Sequence, residues 1–303
     1  MARISGADRY ATAASLSSTL IDPNPPSTGG TVIVASGESF PDALAGAPAA
    51  FANDGPVLLV KAGSIPSPTL AELNRLAPDH VYVLGGTVAV SSAVENQLKS
   101  LASTPTVQRI AGVDRYATAA QVAATFFPAQ KTVFLASGEA FPDALSAAGA
   151  ASRRGWPILL TKRTSLPPST CDRIGAADPT KIYVLGGTVA ITDAVAAAAG
   201  NCSGATNVSV ERLGGADRYA TAALVNSEFF TPSNGDHVLV ATGVNFPDAL
   251  AAGAVGDPVF LTTTNDLPTV AFNAITGLDP SSIHVMGGTT VVSQAVVVEL
   301  QGT

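Results

Sequence analysis

The sequence predicts an α/β protein built as three tandem modules, each with a mostly parallel sheet, set about a pseudo-threefold axis. Two observations carry this. One set of sequence blocks occurs three times at a spacing of about 100 residues. Within each copy, short β-branched runs alternate with alanine-rich amphipathic stretches, the pattern of strands covered by helices. A period near 100 is too long for a solenoid repeat and is the size of a small domain with its own core.

The first block, Arg3-Ile-Ser-Gly-Ala-Asp-Arg-Tyr-Ala-Thr-Ala-Ala14, returns at Arg109–Ala120 and at Arg212–Ala223. The second, Phe40-Pro-Asp-Ala-Leu44, returns at Phe141–Leu145 and Phe246–Leu250. The third, Gly85-Gly-Thr87, returns at Gly186–Thr188 and Gly287–Thr289. These blocks divide the chain into modules 1–104, 105–205 and 206–303, tied by short connections such as Ser103-Thr-Pro105.

The second copy shows the elements most clearly. Val107–Ile110, Thr132–Ala136, Pro157–Leu160 and Lys181–Leu185 read as strands, short and rich in Val, Ile and Leu because both faces are covered. Asp114–Phe127, Pro142–Arg153, Pro167–Ala176 and Thr192–Ala199 read as helices. Asp8, Asp114 and Asp217 stand where an aspartate caps the helix that follows. The prolines of the second block suit a first helical position, where a missing N–H costs nothing. The glycines of the third allow a tight turn after the last strand. All three blocks therefore fall at the carboxyl ends of strands, where open α/β sheets bind ligands. The third copy departs from the others. It has Val244 where Glu38 and Glu139 stand, and its stretch after the second block is four residues shorter.

Composition limits the function. Hydrophobic residues are 47% and charged residues 13%, which excludes intrinsic disorder. No apolar run is long enough for a membrane span. With 16 Lys and Arg against 23 Asp and Glu, the net charge is −7, which argues against nucleic-acid binding. Met1-Ala-Arg-Ile-Ser-Gly opens directly on the first block, so the chain reads as an excised part of a longer polypeptide and no leader reports its compartment.

No phosphate loop, dinucleotide fingerprint, nucleophile elbow or zinc-protease motif is present. His80, His237 and His284 lie mostly at the wrong end of the sheets for a site. Glu38 and Glu139 follow a strand, but Val244 breaks the series and no Asp-x-Asp pair completes a metal site. The sequence therefore predicts no catalytic residue, no metal site and no cofactor. Near-identical motifs in triplicate fit multivalent binding better, because linked sites gain avidity. In residues 206–303 the only cations are Arg212 and Arg218, both inside the first block. That points to a specific task for these arginines, either ligand recognition or an ion pair between modules.

The three blocks, in this order and spacing over essentially the whole chain, resemble the cell-wall-binding repeat type 2 family. The resemblance implies three Toprim-like or Rossmann-like modules arranged as a triangle, a monomer with an internal pseudo-trimer. It also implies a non-catalytic anchor that holds an exported surface protein or autolysin to the wall of a Gram-positive bacterium. The partner would be an anionic wall polysaccharide or teichoic-acid-like polymer. A protein–protein adhesion or surface-lattice module is the alternative, and a wall hydrolase the least favoured. Polymer contact is expected at Arg3, Asp8, Arg9 and Tyr10, at Arg109, Asp114, Arg115 and Tyr116, at Arg212, Asp217, Arg218 and Tyr219, and at Asp42, Asp143 and Asp248. The tyrosines would stack on sugar rings, and a divalent cation bridging the last three aspartates to phosphate is a lesser possibility. In an exported protein an even pair of cysteines is usually oxidised, so Cys171 and Cys202 are expected to form a disulfide. Two buried free thiols are the alternative.

Overall fold

The computed structural model describes residues 1–21, 30–39, 42–232, 237–245 and 247–302. The first repeat runs β1 (Ala2–Ile4), α1 (Arg9–Leu16), β2 (Thr31–Ser36), α2 (Gly46–Phe51), β3 (Val57–Val60), α3 (Ser67–Leu76), β4 (His80–Leu84) and α4 (Ser92–Lys99). The second runs β5 (Thr106–Ile110), α5 (Arg115–Phe126), β6 (Thr132–Ser137), α6 (Pro142–Ser146), α7 (Ala148–Arg154), β7 (Ile158–Thr161), α8 (Pro168–Ala177), β8 (Lys181–Leu185) and α9 (Asp193–Cys202). The third runs β9 (Ser209–Leu213), α10 (Arg218–Phe229), β10 (His237–Thr242), α11 (Pro247–Ala252), β11 (Val259–Thr262), α12 (Thr269–Leu278), β12 (Ser282–Met286) and α13 (Gln294–Leu300). A π-helical turn, Ser17–Ile21, extends α1, and a 3-10 turn, Gly253–Val255, follows α11. Pro142 and Pro247 open their helices as expected, while Phe40, Pro41 and Phe246 lie outside the described residues.

There are three four-stranded sheets, in the orders β3-β2-β4-β5, β7-β6-β8-β9 and β11-β10-β12-β1, and every described pairing is parallel. Here the structure corrects one expectation. Val107–Ile110 is not the fourth strand of its own repeat's sheet. It pairs with β4 of the preceding repeat, Leu84 opposite Ile110. β9 likewise pairs with β8. The ring is closed by β1, which pairs with β12, Ile4 opposite Met286. The reason is local. After α4 the chain makes an ordinary strand–helix–strand return to the sheet it has just left, and it crosses to the next module only through the first block. The sheets are therefore offset by one strand from the sequence period.

Side-chain alternation places the core. On β2, Ile33 and Ala35 point to a central apolar cluster shared by all three repeats, while Val32 and Val34 point to an outer cluster with Leu73 and Leu98. Period-two alternation with both faces covered produces the continuous apolar runs seen in the sequence. At the centre, Ala47, Ala148 and Gly253 occupy equivalent positions, each five residues past the second-block aspartate, and a Cβ on Gly253 would collide with Ala148. Only small residues fit where three helical segments meet. The shortened third copy supplies a glycine and a 3-10 turn there. Ser152 donates to the Gly253 carbonyl at 2.7 Å, and Arg153 pairs with Asp257 at 2.6 Å.

Cys171 on α8 and Cys202 at the end of α9 are disulfide-bonded, with Cα atoms 5.3 Å apart. Leu70 and Leu101 hold the corresponding places in the first repeat. Closing a loop of 31 residues restricts the unfolded chain, so reduction is expected to lower the unfolding free energy by roughly 3 kcal/mol in the chain-entropy account. Urea unfolding with and without reductant measures this, and an unchanged midpoint would refute it.

Candidate functional site

The first block builds a fixed loop between a strand and a helix. Asp8, Asp114 and Asp217 cap α1, α5 and α10, accepting from backbone N–H groups at 2.8–3.0 Å. Thr12, Thr118 and Thr221, all buried, accept from the N–H of Gly6, Gly112 and Gly215 at 3.0–3.1 Å. These threonines recur in the block, yet only the loop geometry shows what they do.

The two arginines of each block have separate tasks. Arg3, Arg109 and Arg212 each donate to the first glycine carbonyl of a Gly-Gly-Thr turn, at Gly287 (2.7 Å), Gly85 (2.6 Å) and Gly186 (2.9 Å). Arg109 also pairs with Glu95, and Arg212 with Asp193. They pin the borrowed strand to its sheet, which is a bracing role. Arg9, Arg115 and Arg218 each donate to the carbonyl of the glycine that follows β2, β6 or β10 of their own repeat, at Gly37, Gly138 and Gly243 (2.5–2.6 Å).

The tyrosines do not stand ready for stacking on a ligand. Tyr10 and Tyr116 are buried and Tyr219 is half-buried. A Cβ on Gly37 or Gly138 would sit 2.6 Å from a tyrosine ring carbon. Lys61 and Lys162 lie over the Tyr10 and Tyr116 rings at 5.9 Å. The rings wedge under the glycine turns and form part of the wall.

Asp42, Asp143 and Asp248 start the second block's helical turn and press against the Gly-Gly-Thr turn of the same repeat. Gly85, Gly186 and Gly287 have φ of +97°, +89° and +93°. At Gly85 and Gly287 an added Cβ would lie 2.6 Å from a carboxylate oxygen. Both the conformation and the close approach require glycine. Each aspartate faces the first block of the following repeat. Asp42 lies within reach of the Thr118 hydroxyl and near Arg115. Asp143 stands in the same relation to Thr221 and Arg218, and Asp248 lies near Arg9. Burial raises the pKa of all three, with the arginines opposing it; Asp248 is pushed up to about 6.

The result is a cleft at a junction between repeats. Between the first and second it encloses about 360 Å³, with Ser36, Ser39 and Asp42 on one side and Asp114, Arg115 and Thr118 on the other. Between the third and first it encloses about 140 Å³, with Asp248 facing Asp8, Arg9 and Thr12. The structure thus joins Asp42 to the arginine of the next repeat, not to Arg9 of its own. Glu38 and Glu139 are loop ties, accepting from the N–H of Ala62 and Arg163 at 2.9 Å. Among the described residues, no three His, Cys, Asp or Glu side chains gather to hold a metal ion, and no helix is long and apolar enough to cross a membrane.

A ring of three α/β units with clefts at two of its joints defines a repeat-built binding module. The chain belongs to the family described as cell wall binding domain 2 (CWB2), which it matches over residues 3–95, 109–196 and 212–297. It is 31% identical over 303 residues to N-acetylmuramoyl-L-alanine amidase LytC of Bacillus subtilis (strain 168), covering 99% of this chain and 58% of that protein. It is 29% identical over 253 residues to the amidase enhancer of the same organism, covering 84% of this chain and 33% of that protein. Among solved structures it resembles Cwp6 from Clostridium difficile, with a TM-score of 0.87 and 25% identity, over 99% of this chain and 47% of that one. Cwp8 from the same organism matches in fold, with a TM-score of 0.86 and 24% identity, over 99% and 51%. The chain spans between 33% and 58% of the length of these relatives.

Proposed function

We propose that this chain is the non-catalytic, wall-anchoring part of an exported surface protein or autolysin. Its modules 1–104, 105–205 and 206–303 hold an anionic cell-wall polysaccharide or teichoic-acid-like polymer at the clefts between repeats, outside the cell and as a monomer. The observation that carries this reading is the joint itself. A second-block aspartate, the capped start of the next repeat's helix and that repeat's second arginine meet in an open cleft at the junctions of repeats 1 and 2 and of repeats 3 and 1, and Asp143 stands near Thr221 and Arg218 at the junction of repeats 2 and 3. The chain is net −7, so attraction of an anionic polymer must be local. Each cleft has one guanidinium among its carboxylates, Arg115 beside Glu38, Asp42 and Asp114 and Arg9 beside Asp8 and Asp248, so the directed donors of that guanidinium, and not the net charge of the cleft, would hold an anionic group. The relatives support the reading, since two of them carry amidase-related names and share this region. Asp8, Asp114 and Asp217 hold the loop open, Asp42, Asp143 and Asp248 accept sugar hydroxyls, and Arg9, Arg115 and Arg218 bind the anionic groups. Arg3, Arg109 and Arg212 and the tyrosines shape the wall behind them.

The test is co-sedimentation with purified walls, before and after mild acid extraction of secondary polymers. Arg115→Ala and Arg218→Ala are each expected to weaken binding roughly tenfold, the value of a charge-assisted hydrogen bond, and the double variant more, because linked sites reinforce each other. Melting curves check folding. Full binding by a folded double variant would return these arginines to a purely bracing role.

A further inference from the structure

Two of the most exposed apolar side chains stand at the same cleft. Val113 is 99% exposed and Val88 is 93% exposed, and both line the cavity between the first and second repeats. They come from different repeats, Val88 from the residue after a Gly-Gly-Thr turn and Val113 from the residue before a capping aspartate. Single exposed apolar residues are ordinary on a protein surface. Two from separate repeats bordering one cleft that also holds Asp42 and Arg115 are not explained that way. Valine is short and branched, and unlike lysine it has no polar tip to hold in water.

The other junctions differ in sequence at these positions. Between the second and third repeats the pair is Val189 and Ala216, and between the third and first it is Thr290 and Ala7. The sequence thus grades the three junctions from apolar to polar. The cleft with two valines holds about 360 Å³, within the range of small-ligand sites, whereas the cleft with Thr290 holds about 140 Å³. What fits the larger cleft is a polar body carrying one small apolar group. Asp42 and Glu38 are acceptors, Arg115 is a donor, and the valines offer only methyl groups. A hydroxyl or a phosphate leaves the valines without a partner. An acetamido group answers all three, with an N–H for a carboxylate, a carbonyl for a donor and a methyl for the valines.

On the reading of these clefts as the polymer site, we infer that the junction of repeats 1 and 2 is the specificity site of the ring, and that it selects a sugar residue bearing an acetamido group through Val88 and Val113. The comparison uses two neutral probes, the β-1,4-linked tetramer of N-acetylglucosamine and the β-1,4-linked tetramer of glucose, titrated into the whole chain by calorimetry. The acetamido tetramer is expected to bind about tenfold more tightly, the scale on which a site discriminates one methyl-sized group. The variant Val88→Thr/Val113→Ala carries the residues that the third junction uses, and both side chains point to solvent, so the fold is kept. It is expected to bring the two probes level. Equal binding of both probes by the unaltered chain, no binding of the acetamido probe, or a preference that survives in the variant would each overturn the inference. None of these touches wall binding by the Arg115 and Arg218 variants, so the broader reading stands or falls separately.

Discussion

Deleting residues 1–5 is expected to lower the unfolding free energy by about 4 kcal/mol or more, although only β1 is removed. Ile4 is 3% exposed in the central cluster, and burying such a side chain contributes about 1.5–3 kcal/mol. The deletion also removes the ladder to β12, the bond from the Gly287 N–H to the Ile4 carbonyl (2.9 Å) and the Arg3 bond to the Gly287 carbonyl, each worth about 0.5–1.5 kcal/mol. It further exposes β12, which bears Val285 and Met286, as a new sheet edge open to pairing with other chains. Urea unfolding and light scattering read the two effects. A truncated chain with an unchanged midpoint would show that the closing strand contributes little.

The second large effect runs the other way. Replacing Asp248 by Asn is expected to stabilise the protein at pH 7.5 by as much as about 3 kcal/mol, since one pKa unit corresponds to about 1.36 kcal/mol. The carboxyl is raised by burial from its ordinary value near 3.8 to about 6, so its charged form is disfavoured in the folded state. Between pH 4 and 6 the native state holds more protons than the unfolded chain, and stability contributed by this group falls as pH rises through that window. The difference between the unaltered chain and Asp248→Asn should therefore be small at pH 4.5 and large at pH 7.5. Other titrating groups cancel in that difference. Asp42 and Asp143 are shifted in the same direction for the same reason. An Asp248→Asn variant no more stable than the unaltered chain at pH 7.5 would refute the account. Buried carboxylates that weaken the fold at neutral pH are understandable where a ligand is bound, because binding sites trade stability for function.

Much of this was legible in the residues. Periodicity and β-branched runs placed the strands to within about a residue, because doubly covered strands and amphipathic helices write themselves into local sequence. The capping aspartates and turn glycines were equally local. The disulfide followed from an even pair in one repeat together with the export that the family resemblance implies. What could not be read was who pairs with whom. Thr106–Ile110 has the same pattern whichever sheet it joins, since an edge strand records its alternation and not its neighbour. For the same reason Asp42 gave no sign that its arginine is Arg115 and not Arg9. The burial of Tyr10 and Tyr116 was equally hidden, because the glycines they pack against, Gly37 and Gly138, are distant in sequence.

The borrowed edge strand turns the chain into a closed loop with a lap joint. Each repeat hands one strand to the repeat before it, and the first hands its strand to the last. Such a ring has no natural beginning. Joining residue 302 to residue 1 through a short linker and reopening the chain near residue 104, between α4 and β5, would leave each sheet composed of the same four strands. The joint also counts. A chain with one repeat deleted would still have a donor strand for every sheet, but it would lose one side of the small-residue contact of Ala47, Ala148 and Gly253. A shorter ring therefore gives up packing at its centre, among residues without polar side chains, whereas the junction residues at the rim already differ from repeat to repeat.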